Sequence, residues 1–205
     1  AHAKILEINI SDAINQPGVL DIITHKDMDN SNIGPIPCLT ADKLKGKDGN
    51  GIKVPPLISL AKDKLYYVGQ PIAFIIADTL NNAKNAADFI MLDVDELDVI
   101  VDPKESMKVD MPPIHPSLEN NIAIDWDYGD KDDVDNIIEK AKYKTSIELR
   151  NSRLIVSAME PRACMASYDN KSSTYNLHSP SQGLFGFSNI LANIFGVERD
   201  QMHLT

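Results

Sequence analysis

One stretch near the end of the chain combines a strand pattern, a turn and a helix pattern. Polar and apolar residues alternate from Thr174 to His178, which predicts a strand. Residues 179–183 interrupt the alternation, and apolar residues then recur at helical spacing from Leu184 to Phe195. Gly196 suits the end of this helix, and residues 201–205 resume a strand pattern. The sequence therefore predicts a strand, a tight turn, a helix and the start of a further strand.

The turn before this helix contains the one side chain that we predict to contact a ligand. Ser179 or Ser181 can cap the helix, and the first backbone N–H groups lie at the positive end of the helix dipole. Gln182 lies beside this end, so its carboxamide could hydrogen-bond an anionic or oxo ligand. A polar capping turn without any ligand explains the same residues. The pattern alone leaves both interpretations open.

Short motifs around the turn carry a family resemblance. They are Ser181-Gln182 followed by a helix and residues 196–197 (GV), residues 159–162 (MEPR), and residues 168–169 (YD). Together they resemble the molybdenum-binding large subunit of the xanthine dehydrogenase, aldehyde oxidase and carbon monoxide dehydrogenase family. The resemblance implies that Gln182 lies next to a molybdenum centre, carried by a molybdopterin-type cofactor, and hydrogen-bonds an oxo-type ligand. It implies no catalytic residue and no metal ligand in this chain.

The first half of the chain carries a second set of family features. Residues 67–73 (YVGQPIA) precede an alanine-rich helix pattern and an acidic strand pattern, and residues 17–19 (PGV) follow a short turn. These features resemble the α/β hammerhead domain at the start of the same large subunits. The expected fold class is α+β, with a hammerhead domain followed by an incomplete mixed α+β molybdopterin-binding domain.

The expected domain boundaries follow the proline content. The hammerhead domain is expected over 1–102, a proline-rich linker over 103–130, and the N-terminal part of a truncated molybdopterin-binding domain over 131–205. The linker prolines lie among charged residues, which predicts a segment extended over the surface. His115 has no partner in the sequence and is predicted to be an exposed surface histidine.

Local patterns predict the remaining elements. The continuous apolar run at 72–77 indicates a strand covered on both faces. Asp78-Thr79 caps a helix that carries Ala83, Ala86, Ala87 and Ile90 on one face. Low periodicity predicts a long surface loop over 25–56. Further strands are predicted over 3–10, 19–24, 65–67, 91–94, 99–101, 143–149 and 159–168, and a further helix over 132–141.

Charged side chains offer two alternatives to the glutamine site. Glu160 and Arg162 suggest a buried ion pair, or a glutamate that accepts backbone N–H groups, rather than a catalytic base. Asp132, Asp133 and Asp135 lack the glycine and distal glutamate of a calcium loop, so they are predicted to be a solvated helix start.

Composition limits the classes of partner. Thirty acidic against twenty basic residues give a net charge of -10, which argues against nucleic acid and against anionic membrane surfaces. Cys38 and Cys164 form no paired motif, which fits a reducing cytoplasm and argues against an iron–sulfur or zinc site within the chain. No apolar run has the length of a membrane span. The absence of an initiator Met suggests a clipped start.

The resemblance implies a function for a larger parent protein. That protein would be a molybdenum hydroxylase-type oxidoreductase acting on an aldehyde, a purine or a related carbon centre, or on carbon monoxide, with water as oxygen source. Its electrons would pass to iron–sulfur and FAD-binding subunits or domains in a homodimeric complex. The chain alone is expected to be inactive and to bind no cofactor, because the family's glycine-rich loop and glutamate base are missing.

Two other functions remain to be compared with this one. A non-catalytic binding or assembly module that retains the hammerhead fold is the alternative. A Ser179–His178 hydrolase is disfavoured, because neighbouring strand residues point to opposite faces and no nucleophile elbow is present. Many family members carry a Pro-His pair and then a basic residue after the glutamine, whereas Leu184-Phe185 and Ser188 stand at those places here.

Overall fold

The computed structural model describes residues 2–108, 110–118, 120–151, 157–160 and 162–205, so Pro161 of the MEPR motif lies outside the described residues. The described residues form short strands and helices. In chain order they are β1 Ala3–Asn9, β2 Val19–Ile23, α1 His25–Asn30, β3 Lys64–Leu65, β4 Phe74–Ala77, α2 Leu80–Ala87, β5 Met91–Glu96, α3 Pro103–Ser106, α4 Lys131–Lys140, β6 Met165–Asp169, β7 Thr174–His178, α5 Leu184–Phe195, a 3-10 turn Arg199–Gln201 and β8 Met202–Leu204.

The described strands form three small sheets. In the first half, β1 lies between β3 and β5, and β2 pairs with β4, all antiparallel. In the second half, β6 and β8 flank β7, with β6 antiparallel and β8 parallel to it. The parallel pair is connected through α5, as a parallel pair requires a crossover. The expected α+β class, with one unit in each half of the chain, is confirmed.

A bulge in β1 breaks the predicted alternation. Ile5 pairs with Val94 and Ile8 pairs with Leu92, so two residues of β1 between them oppose one residue of β5. The extra residue is Leu6, whose side chain is 55% exposed. The bulge keeps Ile5 and Ile8 on one face of the sheet, since Leu92 and Val94 share a face. The strict alternation predicted over 3–10 is therefore wrong.

Strand β4 is an edge strand rather than a strand covered on both faces. Among the described strands it pairs only with β2, in a two-stranded sheet, and Phe74 is 61% exposed. The predicted helix after it is confirmed as α2, where the Thr79 hydroxyl accepts a hydrogen bond from the Asn82 N–H at 3.2 Å. Ala86 of α2 is fully buried where the helix packs on β4 and β2, whereas Ala87, predicted to lie on the same face, is exposed.

The predicted loop over 25–56 begins with a helix that the sequence pattern did not predict. The Asp27 carboxylate accepts from the Thr24 N–H at 2.8 Å and from its hydroxyl at 2.9 Å. This reciprocal cap starts α1 although the helix has no buried residue. The strand predicted over 99–101 is absent, and Val101 is 88% exposed.

The proline-rich linker is folded rather than extended. The Asn121 side chain accepts from the Ile114 N–H at 2.8 Å and donates to the carbonyls of Ser106 and Pro112, both at 3.1 Å. Leu118 is buried, being only 7% exposed. One amide thus connects three points of the linker, so the prediction of a segment extended over the surface is wrong.

The second half has fewer strands than the sequence predicted. Residues 143–149 form no strand, and Tyr143, Ile147 and Leu149 are each at least 75% exposed. A strand needs a partner for its backbone groups, and this alternating segment has none among the described residues. The strand predicted over 159–168 is shorter and begins at Met165, whereas β7 and α5 match their predicted bounds.

Helices in the described part of the chain are short. None of them combines the length and the apolar character that crossing a bilayer would require.

Candidate functional site

Gln182 lies at the surface, immediately before the helix that the turn introduces. Gln182 is exposed, and Gly183 rather than a serine occupies the N-cap position of α5. The Ser181 hydroxyl accepts from the Gly183 N–H at 3.1 Å, and no side chain caps the helix. The prediction that Ser179 or Ser181 caps α5 is therefore wrong. The hydroxyl of Ser181 instead tightens the turn that carries Gln182.

The first turn of α5 leaves backbone donors free beside Gln182. The first helical hydrogen bond runs from the Phe187 N–H to the Gly183 carbonyl at 3.0 Å. The N–H groups of the preceding helical residues have no acceptor within the helix. Apart from the adjacent residues and the backbone of α5 itself, no heavy atom of the described residues lies within 4 Å of the position that a Cβ would take on Gly183 or Gly186. A neutral carboxamide, free N–H groups and open space fit an approaching oxo or pterin group.

Helix α5 is held from its middle rather than along the predicted apolar side. Ser188 and Ala192 are 2% and 3% exposed, and the Ser188 hydroxyl donates to the Met202 carbonyl of β8 at 3.2 Å. Leu184 and Phe195, predicted to lie on the packed face, are 43% and 40% exposed. The buried stripe is thus narrower than predicted. It nonetheless fixes the helix against the sheet below it.

A cation lies beside the first turn of α5. The guanidinium of Arg199 is 5.4 Å from the centroid of the Phe185 ring, which is itself 78% exposed. Phe185 is the second residue of α5, and Arg199 comes from the 3-10 turn after the helix. The sequence reading missed this pair, because fourteen positions separate the two residues and no local pattern connects them. Such a cation–π contact holds the positive charge of Arg199 at the first turn of α5, which follows the turn that contains Gln182.

The histidine and serine that suggested a hydrolase do not pair. The His178 ring nitrogen Nδ1 is hydrogen-bonded to the Thr205 hydroxyl, and the Ser179 hydroxyl donates to the Pro180 carbonyl at 3.4 Å. His178 and Thr205 therefore connect the neighbouring strands β7 and β8. The disfavoured hydrolase arrangement is absent from this turn.

The two charged alternatives are also resolved by the structure. Glu160 and Arg162 are both exposed, so the prediction of a buried ion pair is wrong. The Asp130 carboxylate accepts from the Asp133 N–H at 2.9 Å and caps α4, which confirms the interpretation of the acidic cluster as a helix start. Within the described ranges, no three or more His, Cys, Asp or Glu side chains are grouped as a metal site would require.

Two pockets of the described chain lie in its first half. A shallow groove of about 380 Å³ lies between residues 16–17 and α2, and a small cavity of about 40 Å³ lies between α1 and residues 58–62. Gln182 lines neither of them. The structure brings Gln182 next to the free backbone donors of α5, and Arg199 contacts the ring of Phe185 in the first turn of that helix.

Comparison with known proteins assigns each half of the chain to a domain type. Residues 1–98 match the family described as aldehyde oxidase and xanthine dehydrogenase, a/b hammerhead domain. Residues 114–205 match the molybdopterin cofactor-binding domain. The chain therefore combines a hammerhead domain with a molybdopterin cofactor-binding domain. The chain belongs to the xanthine dehydrogenase, aldehyde oxidase and carbon monoxide dehydrogenase family of molybdenum-binding large subunits.

Individual relatives are similar over most of the chain. The nicotine 6-hydroxylase large subunit of Paenarthrobacter nicotinovorans is 29% identical over 171 residues, which cover 82% of this chain and 20% of the relative. The carbon monoxide dehydrogenase large chain of Afipia carboxidovorans is 25% identical over 216 residues, covering 100% of this chain and 25% of the relative. The solved aldehyde oxidoreductase of Desulfovibrio gigas superposes with a TM-score of 0.75 at 26% identity, covering 99% of this chain and 21% of that one. The chain thus spans a quarter or less of these relatives.

Proposed function

We propose that this chain forms part of the molybdopterin-binding large subunit of a molybdenum hydroxylase-type oxidoreductase. The reaction would be the oxidation of an aldehyde, a purine or a related carbon centre, or of carbon monoxide, with water as oxygen source. The domains would be the hammerhead over 1–102, the linker over 103–130 and the start of the cofactor-binding domain over 131–205. Similarity of both halves to domains of one family, in the family's order, supports the proposal.

Gln182 would hold the cofactor's oxo-type ligand. The single observation that supports this role is the exposed carboxamide beside an uncapped helix N-terminus with open space above Gly183 and Gly186. Amide and backbone N–H donors suit the partial negative charge of an oxo group. When bound, the cofactor would supply the two-electron redox chemistry. The residues of this chain would orient it through hydrogen bonds, and the proton acceptor would come from residues outside this chain.

The proposed complex contains further subunits. The relatives named as a large subunit and as subunit gamma of a dehydrogenase complex belong to multi-subunit assemblies. By analogy we expect iron–sulfur and FAD-binding subunits or domains as electron acceptors, in a cytoplasmic homodimeric complex. The chain spans only part of its relatives, so we expect it to bind no cofactor and to be inactive alone. Stoichiometric molybdenum measured by mass spectrometry on the purified chain would contradict that expectation.

A non-catalytic assembly module is the second candidate. It is favoured by one observation, namely that Gln182 lines neither of the two described pockets. This module would retain the hammerhead as a docking domain and would use no ligand at Gln182. The two candidates differ in what a change at this residue does to turnover.

The deciding experiment replaces Gln182 by Ala in a cofactor-loaded large subunit that contains this chain. Loss of one hydrogen-bond donor to a reacting oxygen lowers turnover by roughly a hundredfold or more. Molybdenum content and the unfolding temperature should remain unchanged, because Gln182 is exposed. Asn189→Ala is the matched control, since Asn189 is an exposed amide residue on α5, the helix that Gln182 precedes. Equal turnover in the Gln182 and Asn189 variants would reject the oxo-contact role and favour the assembly module.

A further inference from the structure

The hammerhead half and the cofactor-binding half are joined by a hydrogen bond at the far end of α5. The Gly34 N–H donates to the Ile194 carbonyl at 2.7 Å. Gly34 lies in the loop after α1, and Ile194 lies in the last turn of the helix that Gln182 precedes. A residue of the first domain thus contacts the element that carries the candidate site of the second.

The loop that contains Gly34 is itself tied to the hammerhead. The Ile33 N–H donates to the Met28 carbonyl of α1 at 3.0 Å, and the Ile36 N–H donates to the Leu57 carbonyl at 2.8 Å. These two backbone hydrogen bonds flank Gly34 on both sides. Since both ends of the loop are held, the Gly34 N–H is presented to α5 from a fixed position.

The end of α5 leaves the Ile194 carbonyl available for this contact. Gly196 adopts the left-handed conformation, its N–H donates to the Asn193 carbonyl at 3.4 Å, and the Val197 N–H donates to the Ala192 carbonyl at 3.0 Å. The last carbonyls of a helix lack partners within the helix. The Ile194 carbonyl is one of them, and the hammerhead supplies its donor.

Only a small residue at position 34 permits the close approach of its backbone to that of Ile194. A Cβ on Gly34 would lie 3.4 Å from the Ile194 carbonyl oxygen, 3.6 Å from its Cα and 4.0 Å from the Asn193 carbonyl oxygen. A single methyl group therefore just fits at van der Waals contact. A branched side chain would place further carbons between the two backbones and push them apart.

We propose that Gly34 is a positioning residue, through which the hammerhead domain fixes α5 and hence the turn that carries Gln182. An α-helix of 12 residues is a rod of about 18 Å, so a displacement of its last turn is transmitted to its first. The functional consequence rests on the role proposed above for Gln182. The hydrogen bond between the Gly34 N–H and the Ile194 carbonyl, called the clamp below, is measured without any cofactor.

The test compares three variants of the isotope-labelled chain by NMR. In the wild type we expect a scalar coupling through the hydrogen bond, between the Gly34 amide nitrogen and the Ile194 carbonyl carbon. Gly34→Ala retains the coupling, whereas Gly34→Val abolishes it and accelerates hydrogen exchange of residue 34 by roughly 5- to 30-fold. In the Val variant alone, the backbone and side-chain amide signals of Gln182 shift. Asn30→Val is the matched control, because it adds the same branched side chain at an exposed position of α1.

Three results would overturn the clamp. They are the absence of the coupling in the wild type, unchanged Gln182 signals when Gly34→Val breaks the coupling, and equal Gln182 shifts in Gly34→Val and Asn30→Val. If Gly34→Val fails to fold, the wild-type coupling and its retention in Gly34→Ala still decide whether the clamp exists. If the NMR results support the clamp while Gln182→Ala keeps full turnover, the proposed role of Gln182 is rejected and the coupling of the two domains stands.

Discussion

The ring of His115 stacks on the ring of Tyr66, with centroids 4.2 Å apart and planes 19° from parallel. His115 comes from the linker and Tyr66 follows β3, so the stack attaches the linker to the hammerhead. The prediction of an exposed, unpartnered histidine is therefore wrong. Burial lowers the pKa of His115 below the ordinary value of 6.5, and the nearby His2 and Lys64 lower it further.

The folded protein should lose stability through His115 as the pH falls below about 6.5. The pKa of this imidazole is lower in the folded than in the unfolded state, so the unfolded state binds more protons in that range. The penalty begins near the unfolded pKa, grows as the pH falls and is complete below the folded pKa. His115→Phe removes the titrating group and retains an aromatic ring. Urea unfolding between pH 8 and about 5 should show a weaker pH dependence in this variant than in the wild type.

His115→Gln separates the stack from the titration. This variant also lacks the titrating group, so its unfolding free energy should share the weaker pH dependence of His115→Phe. At pH 8 it should be less stable than His115→Phe by about 1 kcal/mol, because it lacks the aromatic pair with Tyr66. Equal pH dependence in the wild type and both variants would show that His115 is not the group responsible.

A second prediction concerns the cap of α1. The Thr24 N–H and hydroxyl, in that order, lower the pKa of the Asp27 carboxyl below 3.8. The charged form of Asp27 is favoured by folding, whereas the charged form of His115 is disfavoured. A lowered carboxyl pKa therefore stabilises the folded state above pH 3.8, and this contribution is lost as the pH falls through the folded pKa. Asp27→Ala should cost about 1 kcal/mol at neutral pH, measured by urea unfolding. The difference from the wild type should shrink in acid.

Asn30→Ala is the control for the cap. Asn30 is exposed on the same helix and takes no part in the cap, so its replacement should change stability by less than about 0.5 kcal/mol. A loss as large as that of Asp27→Ala would show that α1 responds to any substitution and that the cap has no special role.

Strong local patterns predicted the elements around the candidate site. The alternation over Thr174–His178, the apolar spacing over Leu184–Phe195 and the left-handed Gly196 are all confirmed. Each of these signals is contained in a few consecutive residues. The position of Gln182 before the helix could therefore be predicted. The contact of Arg199 with Phe185 could not, because it depends on how the chain returns after α5.

Errors arose where tertiary context decided the structure. The Leu6 bulge is determined by the register with β5, and Tyr143, Ile147 and Leu149 alternate as a strand would but find no partner strand in the described part of the chain. The linker folds through the Asn121 side chain, whose three backbone partners lie up to fifteen positions away. Periodicity carries no information on such distant partners.

A third prediction tests the core beneath α2. Ala86 is fully buried, whereas Ala87 of the same helix is exposed. Ala86→Leu should lower the unfolding free energy by about 1–3 kcal/mol, because the added carbons have no space in a packed core. Ala87→Leu makes the same chemical change at the surface and should alter stability by less than about 0.5 kcal/mol. Equal losses in the two variants, measured by urea unfolding, would contradict the observed orientation of α2.

The last prediction concerns the hydrogen bond that holds α5 to β8. Ser188 is 2% exposed and its hydroxyl donates to the Met202 carbonyl at 3.2 Å. Ser188→Ala removes that donor in a buried place, so we expect a loss of about 1 kcal/mol in unfolding free energy. Hydrogen exchange should become faster in α5 and β8 and remain unchanged in β1 and β5, which do not contact them.

Asn189→Ala distinguishes this hydrogen bond from helix propensity. Both substitutions place Ala, the best helix former, in the middle of α5, but Asn189 is exposed. Asn189→Ala should therefore leave stability unchanged or raise it by a few tenths of a kcal/mol. If Ser188→Ala also raised stability, the gain in propensity would exceed the value of the Ser188 hydrogen bond. Helix α5 would then be held to β8 mainly by apolar packing such as that of Ala192, and the Gln182 turn would depend on apolar contact rather than on a directional bond.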